Sequence, residues 1–217
     1  DDADELYQTP FAYFFNNNFL RTVIADPAKL PYYSAFGFVP ADEDTPFHPI
    51  SPYAVAKSST YWMTRHYREI YGLFACSGLL FNHESPLRSK QFVTQKIISG
   101  AVDVFRNKAN SISLGDIDIA RDWGWAPEYV QAMWIMLQQD KSDDYVIATG
   151  VTTTLEDFIS HVFSFYGLDW QDHISYSKTL LRPLDIQNSY ADPSKAEKLL
   201  GWSASVKMPD LIKKLIK

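Results

Sequence analysis

Cysteine is nearly missing from this chain: the only one in 217 residues is Cys76, so an internal disulfide is excluded. Its setting, "GLFACSGLLFN", is apolar, and there a lone thiol reads as a small buried residue rather than a nucleophile. Long hydrophobic runs are also missing. No apolar stretch approaches the ~20 residues needed to cross a bilayer, so no membrane association is expected. Basic clusters are absent before the final "KKLIK" and the net charge is −6, which removes the electrostatic basis for nucleic-acid binding. Any phosphate bound here must be gripped by a few placed arginines. The start, "DDADELYQ", is acidic and lacks the basic-then-apolar order of a signal peptide, so the expected compartment is the cytoplasm. Glycine is scarce at one end: none of the nine precedes Gly37. A dinucleotide-binding α/β domain opens on a strand and a Gly-rich turn whose amides approach a pyrophosphate, and that cradle is not in these residues. The joins within "AYFFNNNFLRTVIADPAKLPYYSAFG" lack turn chemistry. The expectation is that either the protein is truncated or residues outside this sequence once joined those pieces.

What is present is enough for a core. The chain is 46% hydrophobic and 15% aromatic, which excludes a disordered chain. In "SPYAVAKSSTYWMTRHYREIYG", Ser51 is placed to cap a helix, Pro52 suits its first position and Gly72 stops it. "LFACSGLLFN" and "DDYVIATG" read as buried strands of a parallel sheet. "FVTQKIISGAVDVFRN" and "APEYVQAMWIMLQQ" carry helical periodicity, and "SISLG" is a short strand between them. Thr153 with Glu156 reads as a capping box opening the helix "TTTLEDFISHVFSFYG", and "DPSKAEKLLGW" adds a short helix with an Asp cap. Alternating helices and strands imply α/β layering.

Tyr53 and Lys57, at i and i+4, share one helix face, so an ammonium can lie beside the phenol and stabilise its phenolate. That converts a group with a reference pKa of about 10 into a base. Tyr-x3-Lys also arises by chance in ordinary helices, and its meaning depends on what surrounds it.

The surroundings are specific. In order along residues 39 to 205 come "TPFHPISPYAVAK", "LLFNHESPLR", "FVTQKI", "SLGDIDIARDWGWAPEYV", "YVIATG", "RPLDI" and "DPSKAEKLLGW". Together they resemble the GDP-mannose 4,6-dehydratase family of the extended short-chain dehydrogenase/reductases, "NHESP" and "RDWG" most specifically. The resemblance implies a Rossmann-type doubly wound parallel sheet with a smaller mixed α/β substrate domain. It divides the chain into residues 1–82 and 112–150 for the coenzyme and 83–111 and 151–217 for the substrate. It implies NADP, with NAD as the alternative, a nucleotide-diphosphate sugar as substrate, and a homodimer or homotetramer.

It also implies roles. Tyr53 takes the proton of the sugar 4-hydroxyl as hydride leaves C4, and Lys57 holds the nicotinamide ribose and lowers the tyrosine pKa. A glutamate then removes the C5 proton, water leaves from C6 and hydride returns there. Asn82 faces the sugar diphosphate and His83 the nicotinamide end. Arg88 meets coenzyme phosphate, often across a subunit interface. Arg121 clamps the diphosphate in the bidentate manner that suits a guanidinium. Arg182 and Asp185 hold phosphate and ribose, and Lys96 adds charge. Leu87, Ala120, Trp125 and Asp185 depart from the family's Arg, Arg, His and Glu. Two lost positive charges bear on base and sugar choice. The family's Ser/Thr and Glu have no match, because "YYSA" runs straight into Phe36-Gly37, and Glu43 and Asp44 sit in a polar turn, "PADEDTPF". An epimerase or 4-ketoreductase of the same superfamily therefore stands beside the dehydratase reading, as does a non-catalytic relative that binds nucleotide sugar.

Overall fold

The computed structural model describes residues 33–34, 37–38, 40–49, 51–180 and 186–216. A short antiparallel pair comes first, β1 (Tyr33–Ser34) with β2 (Gly37–Phe38). Helix α1 (Pro52–Tyr71) follows and begins as its sequence dictates. The Ser51 hydroxyl accepts the Ala54 N–H at 3.1 Å, and Pro52 fills the first turn where its missing N–H costs nothing. Gly72 ends the helix at φ 65°, a left-handed conformation that a side chain would oppose. The helix buries only a narrow stripe, Ala54, Lys57, Ser58 and Tyr61, at i, i+3, i+4 and i+7. Its far end is pinned by Arg68, whose two terminal nitrogens donate to the Asp144 carboxylate at 2.9 and 2.6 Å.

β3 (Ser77–Leu80) and β7 (Asp144–Ile147) pair in parallel, Ser77 opposite Asp144 and Leu80 opposite Ile147. Every residue of both is buried, as apolar runs in a parallel sheet require. Cys76, just before β3, is buried and unpaired by any disulfide, and burial pushes its thiol pKa up, which fits an inert packing role. Beyond Leu80 the chain changes partner. Phe81 still donates its N–H to Ile147, but the following strand, β4 (Asn82–Glu84), pairs in parallel with β6 (Ala120–Trp125). β6 in turn pairs antiparallel with β8 (Thr152–Thr154). A further parallel pair joins β5 (Ile112–Leu114) to β9 (Ile174–Tyr176).

Two hydrophobic cores organise these sheets. The first gathers Leu79, Phe81, Val146 and Ile147 under Tyr129, Ala132 and Met136 of α3 (Ala126–Met136), with Tyr61 of α1, Leu200 of α5 (Ser194–Leu200), and Trp202. The second packs Ile97 and Ala101 of α2 (Val93–Phe105) against α4 (Leu155–Phe165) and α6 (Met208–Ile216). In α4 the residues Leu155, Phe158, Ile159, Val162 and Phe163 are at most 2% exposed, and burial of each such side chain contributes about 1.5–3 kcal/mol. Leu114, Ile117, Ile119 and Trp123 sit in the second core, whereas Ala191 to Ala204 contribute to the first. The cores thus interleave the segments assigned from sequence to one domain or the other.

Some local readings shift. Thr154, not Thr153, caps α4, because the threonines up to 154 belong to β8 and the helix starts one residue later. Thr154 accepts the Asp157 N–H at 3.0 Å and its hydroxyl donates to the Asp157 carboxylate at 2.6 Å, so Asp157 takes the place given to Glu156. At α5, Pro193 occupies the cap position, while Asp192 accepts the Ser194 N–H at 2.9 Å from one residue earlier. β6, β8, β9 and α6 were not foreseen. Among the described residues no helix is long and apolar enough to cross a membrane.

Candidate active site

The first two turns of α1 place the tyrosine and lysine together. Lys57 is 8% exposed and Tyr53 41% exposed, with the Lys57 ammonium 5.1 Å from the centre of the Tyr53 ring. Burial pulls the lysine pKa down, since a poorly hydrated ammonium is costly. The pair therefore joins a sheltered cation to a phenol at the surface.

The second part of the site arises where β3 becomes β4. Strands that run together as far as Leu80 and Ile147 diverge there, and the crevice beyond the carboxyl ends of diverging parallel strands is where α/β proteins bind ligands. Asn82 and His83 stand at this point, opposite Trp123 and Gly124 of β6. Asn82 is half-buried and His83 buried. The His83 Nδ1–H donates to the Phe81 carbonyl at 2.8 Å, and because a carbonyl only accepts, the proton of the neutral ring lies on Nδ1.

Arg88 turns inward. Its Nε lies 3.0 Å from Glu84 Oε2, its guanidinium stacks 3.9 Å from the Phe92 ring centre, and Nη1 donates to the His83 carbonyl at 3.4 Å. Thr94 donates to the same Glu84 oxygen at 2.8 Å. Burial lowers the guanidinium pKa and Glu84 opposes that. In this arrangement Arg88 braces the turn after β4, with its side chain 9% exposed.

Arg121, on β6, donates from Nη1 to the carbonyls of Ala120 and Gln187 at 2.9 and 3.2 Å. The Gln187 side chain in turn donates to Asp116 at 3.4 Å. Asp116 lines a cavity of about 320 Å3 together with Gly115, Ile117, Asp118, Tyr176, Ser177 and Lys178. Sequence reasoning missed this cavity; the one signal for it was the turn "GDID" directly after a strand. Lys96 of α2 donates to the Ser113 carbonyl at 2.5 Å, on the strand leading into the same cavity. The structure thus gathers Arg121, Lys96 and the cavity at one end and Asn82 with His83 at the strand divergence. Arg182 and Asp185 lie outside the described residues. Glu43 accepts the Val146 N–H at 2.7 Å, so its carboxylate is engaged in holding β7.

Residues 32–215 match a family model described as GDP-mannose 4,6 dehydratase. GDP-mannose 4,6 dehydratase 1 of Arabidopsis thaliana is 46% identical over 177 residues, covering 82% of this chain and 49% of that protein. The GDP-mannose 4,6-dehydratase of Sinorhizobium fredii is 39% identical over 196 residues, covering 82% and 56%. The chain spans about half the length of the curated relatives it matches. Among solved structures, RMD from Pseudomonas aeruginosa complexed with NADPH superposes with a TM-score of 0.75 at 18% identity, over 91% of this chain and 61% of that one. UDP-glucose 4-epimerase from Thermotoga maritima, with UDP-glucose, gives 0.74 at 22% identity, over 90% and 60%. At such identities these two carry the fold alone, which is the Rossmann-type architecture of epimerases and dehydratases. With most of its length matched both by the family model and by relatives at up to 46% identity, the chain belongs to the GDP-mannose 4,6-dehydratase family.

Proposed function

We propose that the protein is a nucleotide-sugar 4,6-dehydratase acting on a GDP-hexose, with Tyr53 as the base at the sugar 4-hydroxyl. The observation that carries this is the sheltered Lys57 ammonium 5.1 Å from the ring of the exposed Tyr53. A cation at that place favours the phenolate over the phenol. The pair fits the nicotinamide and ribose end of NADP, or of NAD. The Gly-rich turn for the pyrophosphate is not among residues 1–36. When bound, NADP supplies the two-electron oxidant that takes hydride from C4 and returns it to C6. Asn82 orients the sugar diphosphate, and His83 closes the nicotinamide end. Arg121 grips the diphosphate beside the cavity at Asp116, which suits the nucleoside, and Lys96 adds charge at its rim. Arg182 and Asp185 complete the phosphate and ribose contacts, and Arg88 borders the coenzyme.

Incubation of the protein with GDP-mannose and NADP, followed by mass spectrometry, tests the reading: loss of one water from the sugar nucleotide is expected. A product of unchanged mass but altered C4 configuration would establish epimerisation instead. One observation favours that second reading: Glu43, the glutamate closest in sequence to β2, already serves the Val146 N–H.

Arg121→Ala is expected to raise KM for the nucleotide sugar roughly tenfold to a hundredfold, the worth of a charge-assisted hydrogen bond, with turnover nearly unchanged. A grip exerted equally on ground and transition states affects binding alone. A variant that lost turnover at unchanged KM would contradict this role.

We further propose a homodimer or homotetramer in a cytosolic setting. The outer side of α1 carries Val55, Trp62, Met63, Ile70 and Tyr71, with Trp62 53% and Ile70 67% exposed, an apolar stripe that a second copy would cover. Trp62→Glu is expected to shift sedimentation at micromolar concentration toward monomer. A wild-type protein that sediments as a fully active monomer would remove the stripe's role.

A further inference from the structure

The crevice face of β6 holds a buried polar group that the proposed chemistry leaves unused. Paired residues of neighbouring strands lie side by side, so His83 on β4 stands opposite Gly124, and Asp122, two residues back on β6, shares that side of the sheet. α3 lays Tyr129 across the same place. A Cβ at Gly124 would come within 2.3 Å of the Tyr129 ring and 2.5 Å of its hydroxyl oxygen, so only glycine admits the ring. The Tyr129 ring centre is 5.0 Å from that of His83, tilted by 31°. Asp122 and Tyr129 are 1% exposed and His83 is 4% exposed.

Tyr129 Oη and Asp122 Oδ2 have no hydrogen-bond partner among the described residues. The other Asp122 oxygen accepts the Thr149 N–H at 3.0 Å, which anchors the carboxyl group. Burial, and after it the Asp122 charge, raise the Tyr129 pKa well above 10, so the phenol keeps its proton and acts as a donor. Burial likewise raises the pKa of Asp122, against hydrogen bonds from Thr149. A buried hydroxyl and a buried carboxyl oxygen left unpaired would each cost about 1–3 kcal/mol. A donor on α3 and an acceptor on the side of β6 beneath it remove both costs by sharing an internal water.

We propose that Tyr129 is a positioning residue for His83: its hydroxyl is linked to the Asp122 carboxyl group through an internal water, and the ring so fixed, seated on Gly124, holds the imidazole in place. The consequence for catalysis rests on the placement of His83 at the nicotinamide end. Removal of the hydroxyl alone leaves the ring to pack, so Tyr129→Phe keeps the shape and loses the lock.

The test uses the protein labelled with 15N-histidine, the His83 signals being assigned with His83→Gln. Tyr129→Phe is expected to move the His83 imidazole signals and to lower turnover roughly tenfold, the worth of one net hydrogen bond, with KM for the nucleotide sugar unchanged. Asp122→Asn, which retains an oxygen for the Thr149 N–H, is expected to move the same signals. Unmoved His83 signals in both folded variants would overturn the proposal. Signals that move while turnover holds in Tyr129→Phe and in His83→Gln would support the lock and instead remove His83 from the reacting centre.

Discussion

Tyr53→Phe is expected to leave a folded protein with turnover reduced by roughly 10²–10⁴, the usual contribution of a positioned general base. The change deletes one oxygen from a side chain that is 41% exposed, so little packing is lost and thermal unfolding should be nearly unaltered. Lys57 supplies the complementary result. Its ammonium sits near the Tyr53 ring and is itself made harder to protonate by burial. In Lys57→Ala the phenol loses the cation that favours its ionised form, so the acid limb of the pH–rate profile should move up toward the phenol's own value of about 10. Coenzyme KM should rise with it. Near-normal turnover in Tyr53→Phe would end the assignment of the base; an unmoved acid limb in Lys57→Ala would end that of its partner.

Asp144→Asn is expected to produce the largest loss of stability, about 3–5 kcal/mol by urea unfolding, the scale for breaking a buried ion pair from one side. The Arg68 and Asp144 side chains are 14% and 7% exposed, and the carboxylate also accepts the Ser77 N–H at 3.1 Å. The amide keeps the shape but strands the guanidinium. Arg68→Met with Asp144→Asn should recover much of the loss, because an apolar side chain leaves no charge stranded. Burial by itself raises the Asp144 pKa, but the hydrogen bonds and charge of Arg68 outweigh it and hold the carboxyl below its ordinary 3.8. A depressed folded value means that this group's stabilisation is complete above 3.8 and disappears as pH falls through the lower folded value. Wild type should therefore lose stability in that acid window, and the Asn variant should lack that component. A single variant within 1 kcal/mol of wild type, as judged against the ~3–5 kcal/mol scale, would show the pair to be dispensable.

The pair bears on the active site as well as on stability. Arg68 ties the end of the helix that begins with Tyr53 and Lys57 to β7, whose far end opens at the strand divergence. Nothing in the sequence marked Arg68 and Asp144 as partners, since 76 positions separate them. The contacts of Arg88, which the resemblance assigns to coenzyme phosphate, with Glu84 and Phe92 were likewise set by the fold.

Sequence by itself determined whatever depends on neighbours within one turn or one strand. The α1 cap at Ser51 and stop at Gly72, the burial of the runs around Leu79 and Val146, and the proximity of Lys57 to Tyr53 all follow from periods of 3.6 and 2 and from local hydrogen bonds. "NHESP" and "RDWG" carried the family for the same reason, as short strings whose chemistry is fixed in order. Tertiary structure alone decided the rest: the partner change at Phe81, the cavity at Asp116, the inward turn of Arg88, and the seating of Tyr129 on Gly124 beside His83. Each depends on which strands lie side by side and on how near two backbones come, and pairwise distance across a sheet leaves no periodic trace along either strand.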